Sequence, residues 1–187
     1  MKMRTFLQLC ATEELHKKPL IVFTGNIFPL LFFSMLYNRL KRFSENKMQS
    51  ISFTDNDFVS LQAQLNTTFL GEKKIIWCKN ISSLDSSTKK KVLSFLTSYK
   101  GPHSIITFIP SKDIPSTLNK QIILNTDEPF SLGEKEQLLS FLFDNLTWKD
   151  LHTLIGDKHK TLSLDQLLLL AHYKIVLGRN SELFMKE

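Results

Sequence analysis

Pro19–Leu30 reads PLIVFTGNIFPL. Leu20, Ile21, Val22 and Phe23 form an apolar run without alternation. Such a run suits a strand buried on both faces of a parallel sheet. Thr24-Gly25-Asn26 stops it. A long helix is expected next, from Ile27 to Phe43, with Asn26 as N-cap and Pro29 in the first turn, where a missing N–H does no harm.

The same alternation continues outward. Ser50–Phe53, Lys73–Cys78 and His103–Ile109 read as further strands, and Ile122–Leu124 as a short fifth. Arg4–His16, Phe58–Leu65 and a helix capped within Ser82–Asp85 and running to Tyr99 lie around them. Strands alternating with helices predict an α/β fold: a parallel sheet covered on both faces. After Pro129 the pattern changes, and Ser131–Leu146, Trp148–Ile155 and Ser163–Leu177 read as helices with no strand between them. A boundary at Asp127-Glu128-Pro129 divides an α/β domain, residues 1–128, from a small helical domain, residues 129–187.

The chain has 187 residues, 42% hydrophobic and 22% charged, which is globular rather than disordered composition. Its net charge of +6 permits contact with nucleic acid without requiring it. Cys10 and Cys78 are the only cysteines, and neither has a CxxC neighbour, so no disulfide framework or zinc knuckle is expected. Cys78 closes an apolar strand and reads as a buried thiol. The first residues, MKMRTFLQLCATEELHKK, are amphipathic, and the apolar run Ile27–Leu36 is too short to span a bilayer. A cytoplasmic protein with no membrane partner is expected.

Catalytic motifs are missing where this architecture usually carries them. A phosphate loop needs several glycines, a lysine for the β/γ charge and a Ser or Thr for magnesium. Thr24-Gly25-Asn26-Ile27-Phe28-Pro29-Leu30 has one glycine and no lysine. The strand Ile75-Ile76-Trp77-Cys78 ends in Lys79-Asn80 rather than carboxylates, and the next ends in Pro110-Ser111. Asp113 reads as a turn residue. His16, His103, His152, His159 and His172 show no metal-ligand spacing. No cofactor or metal is expected, and no catalysis by this chain itself.

Asp55–Asn80, DNDFVSLQAQLNTTFLGEKKIIWCKN, holds the oddest feature. Phe69 and Leu70 sit beside Gly71 and Lys73-Lys74, where a surface turn should be polar. They either plug the protein's own core or form a wedge for a partner, and a few such anchors carry most of an interface's energy. Lys73, Lys74, Lys89, Lys90 and Lys91 are either a solvated face or contacts for DNA or an acidic surface.

PLIVFTGN followed by a long helix, TDNDFVSLQAQLNTTFLGEKKIIWCKN, a further helix and SIITFIPSKD together resemble the N-terminal domain of the delta subunit of bacterial DNA polymerase III. That family is the wrench of the clamp loader, within the DNA-directed DNA polymerase (nucleotidyltransferase) holoenzyme that replicates DNA. The similarity covers residues 1–128. It implies a RecA/AAA+-like module that does not hydrolyse ATP, with Thr24, Gly25 and Asn26 as a degenerate phosphate loop. It also implies that Thr68, Phe69 and Leu70 enter a pocket of the ring-shaped sliding clamp, the beta subunit, and that other clamp-loader subunits are partners. Phe69 matches the family phenylalanine. Thr68 stands where leucine is common, and Leu70 comes one place later. Residues 129–187 suffice for a helical lid but not for a lid and a collar, so either the chain is a shortened delta or its C-terminal helices have another use. Two other readings stay open: a diverged nucleotide-binding enzyme, ATPase-like or kinase-like, and a scaffold on an inactive AAA+ shape. The run Leu164–Ala171, apolar almost all round, is either buried or a seat for a partner.

Overall fold

The computed structural model describes residues 1–12, 14–43, 48–52, 58–68, 71–118, 123–128, 130–143 and 162–173. The chain forms two compact units. One comprises Met1–Phe28 and Tyr37–Asp127, the other Pro29–Leu36 and Glu128–Glu187.

The first unit is built on five parallel strands: β1 (Leu20–Gly25), β2 (Met48–Ser52), β3 (Ile75–Lys79), β4 (Ser104–Pro110) and β5 (Ile123–Asn125). Their spatial order is β2-β3-β4-β1-β5. The first strand therefore lies inside the sheet, between β4 and β5. The order, with parallel pairing throughout, is that of a RecA/AAA+-like α/β fold. Leu20 pairs with Ile105 and Phe23 with Phe108 on one side of β1, and Phe23 pairs with Leu124 on the other. All six β1 residues are buried, as an interior strand covered on both faces requires.

Successive β1 side chains point to opposite faces. Leu20 and Val22 join a core with Ile76, Cys78 and Ile105, closed by Leu61 and Leu65 of α3 (Phe58–Asn66) and Val92, Leu93 and Leu96 of α4 (Ser86–Ser98). On the opposite face Phe23 meets the ring edge of Phe6, 5.1 Å away, from α1 (Met3–Ala11). Tyr37 of α2 (Leu30–Phe43) stands 5.9 Å from Trp77.

Several element boundaries differ from the sequence expectation. α2 begins at Leu30, not Ile27, and Asn26 does not cap it. The residue before a proline is disfavoured in the α region, so Phe28 cannot lie inside the helix. Pro29 instead supplies the first carbonyl, accepting from Phe33 N–H at 3.0 Å. α1 ends at Ala11 rather than His16, where the Thr12 hydroxyl and N–H both close on the Gln8 carbonyl. A 3-10 turn, Glu14–Lys17, follows, and the Ser104 hydroxyl holds the Leu15 carbonyl to β4 at 2.8 Å. α4 starts as expected: the Asp85 carboxylate accepts from Ser87 and Thr88 N–H, and bonding to Thr88 holds its carboxyl below the ordinary range.

In the second unit, α5 (Leu132–Leu142) opens on a capping box between Ser131 and Glu134. Residues 164–173 form a further helix, α6. A second reciprocal cap opens it: Gln166 N–H donates to Ser163 Oγ and Ser163 N–H to Gln166 Oε1. The run Leu164–Ala171 is not apolar all round in use. Leu164, Leu167, Leu168 and Ala171 are buried, whereas Leu169 and Leu170 are not. The expected helix Trp148–Ile155 lies outside the described residues.

Cys10 and Cys78 are free and buried. Burial pushes both thiols up, Cys78 to about 12. The folded Cys78 thiol titrates above its unfolded counterpart, so its contribution is full below the ordinary thiol range and lost as pH rises toward about 12. Neither thiol should react with Ellman's reagent at pH 8 in the native protein, and both should react in denaturant. Urea stability should fall as pH is raised above the ordinary thiol range, and less so in Cys78→Ala measured against its own neutral-pH value. Rapid native reaction of both thiols would contradict their burial.

Candidate functional site

A parallel sheet has two chemically distinct ends. At the carboxyl end of β1 lie Thr24, Gly25 and Asn26, and at the amino end of β3 lies the 67–74 loop.

The β1 end is closed on itself. The Thr24 carbonyl accepts from Thr126 N–H at 2.7 Å and from the Thr126 hydroxyl at 2.8 Å. Thr24 Oγ1 lies 3.3 Å from Ser111 Oγ, just past β4. The Asn26 N–H donates to the Asp127 carboxylate at 2.5 Å. Asp127 is itself fixed by its N–H on Asn125 Oδ1 at 3.0 Å. A Cβ on Gly25 would collide with Thr126 Oγ1 and the Asp127 carboxylate. Gly25 thus serves the close approach of the chain's own 126–127 segment. An amide that could face a phosphate oxygen instead faces a carboxylate oxygen.

In the second unit, the Asp165 carboxylate accepts from Phe32 N–H at 3.1 Å and from Leu31 N–H at 3.4 Å. These are first-turn amides of α2, the kind of group that binds anions at helix N-termini. Asp165 also lies in the first turn of its own helix, α6. One carboxylate therefore stands at the positive ends of two helix dipoles. Sequence reading placed the cap on neighbouring Asn26, because caps are ordinarily local. Nothing in the spacing signals a partner 133 residues away.

Among the described residues, the carboxyl end of β3 carries no carboxylate, and the one beyond β4 is already paired. β3 ends in Lys79, and Asn80 follows in a left-handed conformation with its amide on Ser52 Oγ. Asp113 sits beyond β4 and accepts from Lys89 Nζ at 3.1 Å. Among the described residues, no three His, Cys, Asp or Glu side chains gather as a metal site, and no helix is long and apolar enough to cross a membrane.

The two groups of expected basic residues do not meet. Lys73 and Lys74 precede β3, while Lys89, Lys90 and Lys91 lie in α4, which begins beyond the other end of β3. At about 3.3 Å per residue that strand separates them by roughly 16 Å. Lys89 is half-buried in its pair with Asp113, whereas Lys73, Lys90 and Lys91 are exposed.

At the amino end, α3 stops at Asn66 and β3 starts at Ile75. Thr67 and Thr68 are exposed, as are Gly71, Glu72 and Lys73. Gly71 has φ 76°, a left-handed conformation that favours glycine. Phe69 and Leu70 lie outside the described residues. The base of this loop is held by residues that sequence reasoning passed over. His103 is 3% exposed. Its Nδ1 accepts from Lys74 N–H at 3.1 Å, and its Nε2 lies 2.7 Å from the Thr67 carbonyl. Tyr99 Oη donates to the Leu65 carbonyl at 2.8 Å and accepts from His103 N–H at 3.1 Å. The bond from Lys74 also explains why β3 begins at Ile75 rather than Lys73.

No family model matches this chain, and no curated protein matches it. Among solved structures, a RuvB variant from Thermotoga maritima aligns over 90% of this chain and 67% of that one, with a TM-score of 0.45 and 12% identity.

Asp165→Ala should lower stability by about 0.5–2 kcal/mol, the usual range for a lost helix cap, while Asp165→Asn should keep most of it. Urea denaturation followed by circular dichroism measures both. An unchanged midpoint for Asp165→Ala would show that the carboxylate does not hold the start of α2.

Proposed function

We propose that this chain is a non-hydrolysing, delta-like clamp-loader subunit, which uses the turn at Thr68, Phe69 and Leu70 to bind a sliding clamp and help open or load it on DNA. One kind of observation carries the reading, made in each unit separately: backbone amides of a sort that could bind an anion are already bound by the chain's own carboxylates. Asn26 is taken by Asp127, and Leu31 and Phe32 by Asp165. A fold so occupied is suited to binding through its surface rather than to nucleotide chemistry. The residues that flank Phe69 and Leu70 in sequence, Thr67, Thr68, Glu72 and Lys73, are exposed, and Gly71 is left-handed, which supports a surface binding role for this stretch. The resemblance of residues 1–128 to the delta family supplies the partner.

On this reading, Phe69 and Leu70 would each contribute about 1.5–3 kcal/mol if fully buried in an apolar pocket. Opening a ring requires more than affinity. The wedge must bind the opened or strained ring better than the closed one, because only differential affinity shifts a conformational equilibrium. Exposed Lys73 lies beside the turn, where it would favour an acidic rim on the partner. Lys90 and Lys91, at the other end of β3, would serve DNA or a neighbouring loader subunit.

The double substitution Phe69→Ala with Leu70→Ala should abolish binding to the sliding clamp of the same organism, with the circular dichroism spectrum unchanged. Normal clamp binding by that variant would sink the wedge assignment. Calorimetry with ATP and magnesium should give no binding heat for the parent chain. A measurable affinity would favour the diverged nucleotide-binding enzyme instead.

A further inference from the structure

The 67–74 loop is tied across its base by a ring that belongs to neither end. We propose that His103 is the positioning residue of this loop: its neutral imidazole bridges the Thr67 carbonyl and the Lys74 N–H, and so fixes how the chain leaves α3 and enters β3. The part of the inference that concerns clamp binding rests on the function proposed above.

The chemistry of the bridge is specific. Lys74 N–H can only donate, so Nδ1 must be the bare nitrogen, 3.1 Å away. The proton of the neutral ring is then on Nε2, which donates to the Thr67 carbonyl at 2.7 Å. One rigid, planar side chain thus satisfies an acceptor and a donor on the two ends of one loop. Both ring nitrogens are engaged with backbone, and the ring is buried. Such a histidine has no free edge for a substrate or a metal, and bridging is the chemistry left to it.

The ring is also held from behind. The backbone N–H of His103 donates to Tyr99 Oη, which in turn donates to the Leu65 carbonyl in the last turn of α3. The Tyr99 ring is buried and meets Phe95 edge-on, with centroids 5.6 Å apart, and Phe95 meets Phe58 at the start of α3. The next residue, Ser104, gives its N–H to the Lys74 carbonyl at 3.0 Å. Lys74 is therefore bonded on both its amide and its carbonyl by consecutive residues of one segment. Tyr99, His103 and Ser104 form a fixed frame, and the loop hangs from it at Leu65, Thr67 and Lys74. A turn that must present apolar side chains to a partner gains from such a frame, because less chain freedom is lost on binding.

Three substitutions separate the two bonds. His103→Asn places an amide oxygen near the Nδ1 position and should keep the Lys74 bond. His103→Gln reaches the Nε2 position and should keep the Thr67 bond. His103→Phe keeps the ring's bulk and loses both. Amide hydrogen exchange at Lys74, read by NMR, should accelerate in His103→Phe and His103→Gln and stay slow in His103→Asn, while β1 and β4 amides stay protected in all three. Clamp affinity should fall roughly tenfold or more in His103→Phe, the scale of two lost backbone hydrogen bonds, and less in the two amide variants. Phe69→Ala serves as the reference. If it loses clamp binding while His103→Phe retains it, positioning by His103 is refuted. If Phe69→Ala itself binds normally, the clamp reading fails instead, and the exchange pattern alone decides the bridge. Unchanged exchange at Lys74 in His103→Phe overturns the proposal in either case.

Discussion

Burial of β1 on both faces and both edges is the constraint from which the rest of the first unit follows. Its six residues, Leu20–Gly25, lie inside the sheet between β4 and β5. An interior strand exposes no polar edge, so each backbone group must find a partner in a neighbouring strand or in the turn beyond. That requirement reaches the end of the strand. Thr24 is polar and 4% exposed, and both Thr126 N–H and the Thr126 hydroxyl close on its carbonyl. Packing segment 126–127 so closely leaves no room for a side chain at position 25. The glycine that resembles part of a phosphate loop is thus explained by strand burial alone.

The start of α2 poses a related problem. First-turn amides have no partner within their own helix, and a helix end buried without one is unfavourable. In a phosphate-binding protein the ligand can supply the missing acceptors. Here Asp165 supplies them to Leu31 and Phe32. Its position in the first turn of α6 places its charge at two helix N-termini, each of which favours an anion. A ligand would have to displace a covalently tethered carboxylate, whose effective concentration is high.

Much of the fold was legible because its signals are local. The unbroken apolar run Leu20–Phe23 and the cap at Asp85 each declare an element through neighbouring residues, and the structure forms both. Boundaries drifted where a distant group intervened. β3 starts at Ile75 because His103 takes the Lys74 amide, and the chain after α1 is drawn to β4 by the Ser104 hydroxyl on the Leu15 carbonyl. Pro29 is legible as a helix-start residue, and because it disfavours helical geometry at Phe28, α2 starts at Leu30 rather than Ile27. At Thr24, Gly25 and Asn26 the sequence showed one glycine and no lysine. The carboxylates of Asp127 and Asp165 were not legible, since each acts on amides more than a hundred residues away. His103 was discounted for lacking metal-ligand spacing, a criterion blind to a ring whose partners are backbone atoms.

The two ends of the sheet carry separable networks, and this separation bears on how a binding role could outlast catalysis. At the carboxyl end, Thr24 bonds with Ser111 and Thr126, and Asp127 with Asn26 and Asn125. At the amino end, they run among Leu65, Thr67, Lys74, Tyr99 and His103. The networks share no residue, and β3 and β4 stand between them as rigid struts. Substitutions that fill or neutralise a phosphate site therefore need not disturb a loop hung from Tyr99 and His103. Additivity is expected for sites with no common partner and this distance between them. On the proposed reading, loss of the phosphate-binding amides would leave the 67–74 loop's presentation intact. The α/β scaffold would then persist because its buried strands are needed to hold that loop, whether or not any nucleotide is bound.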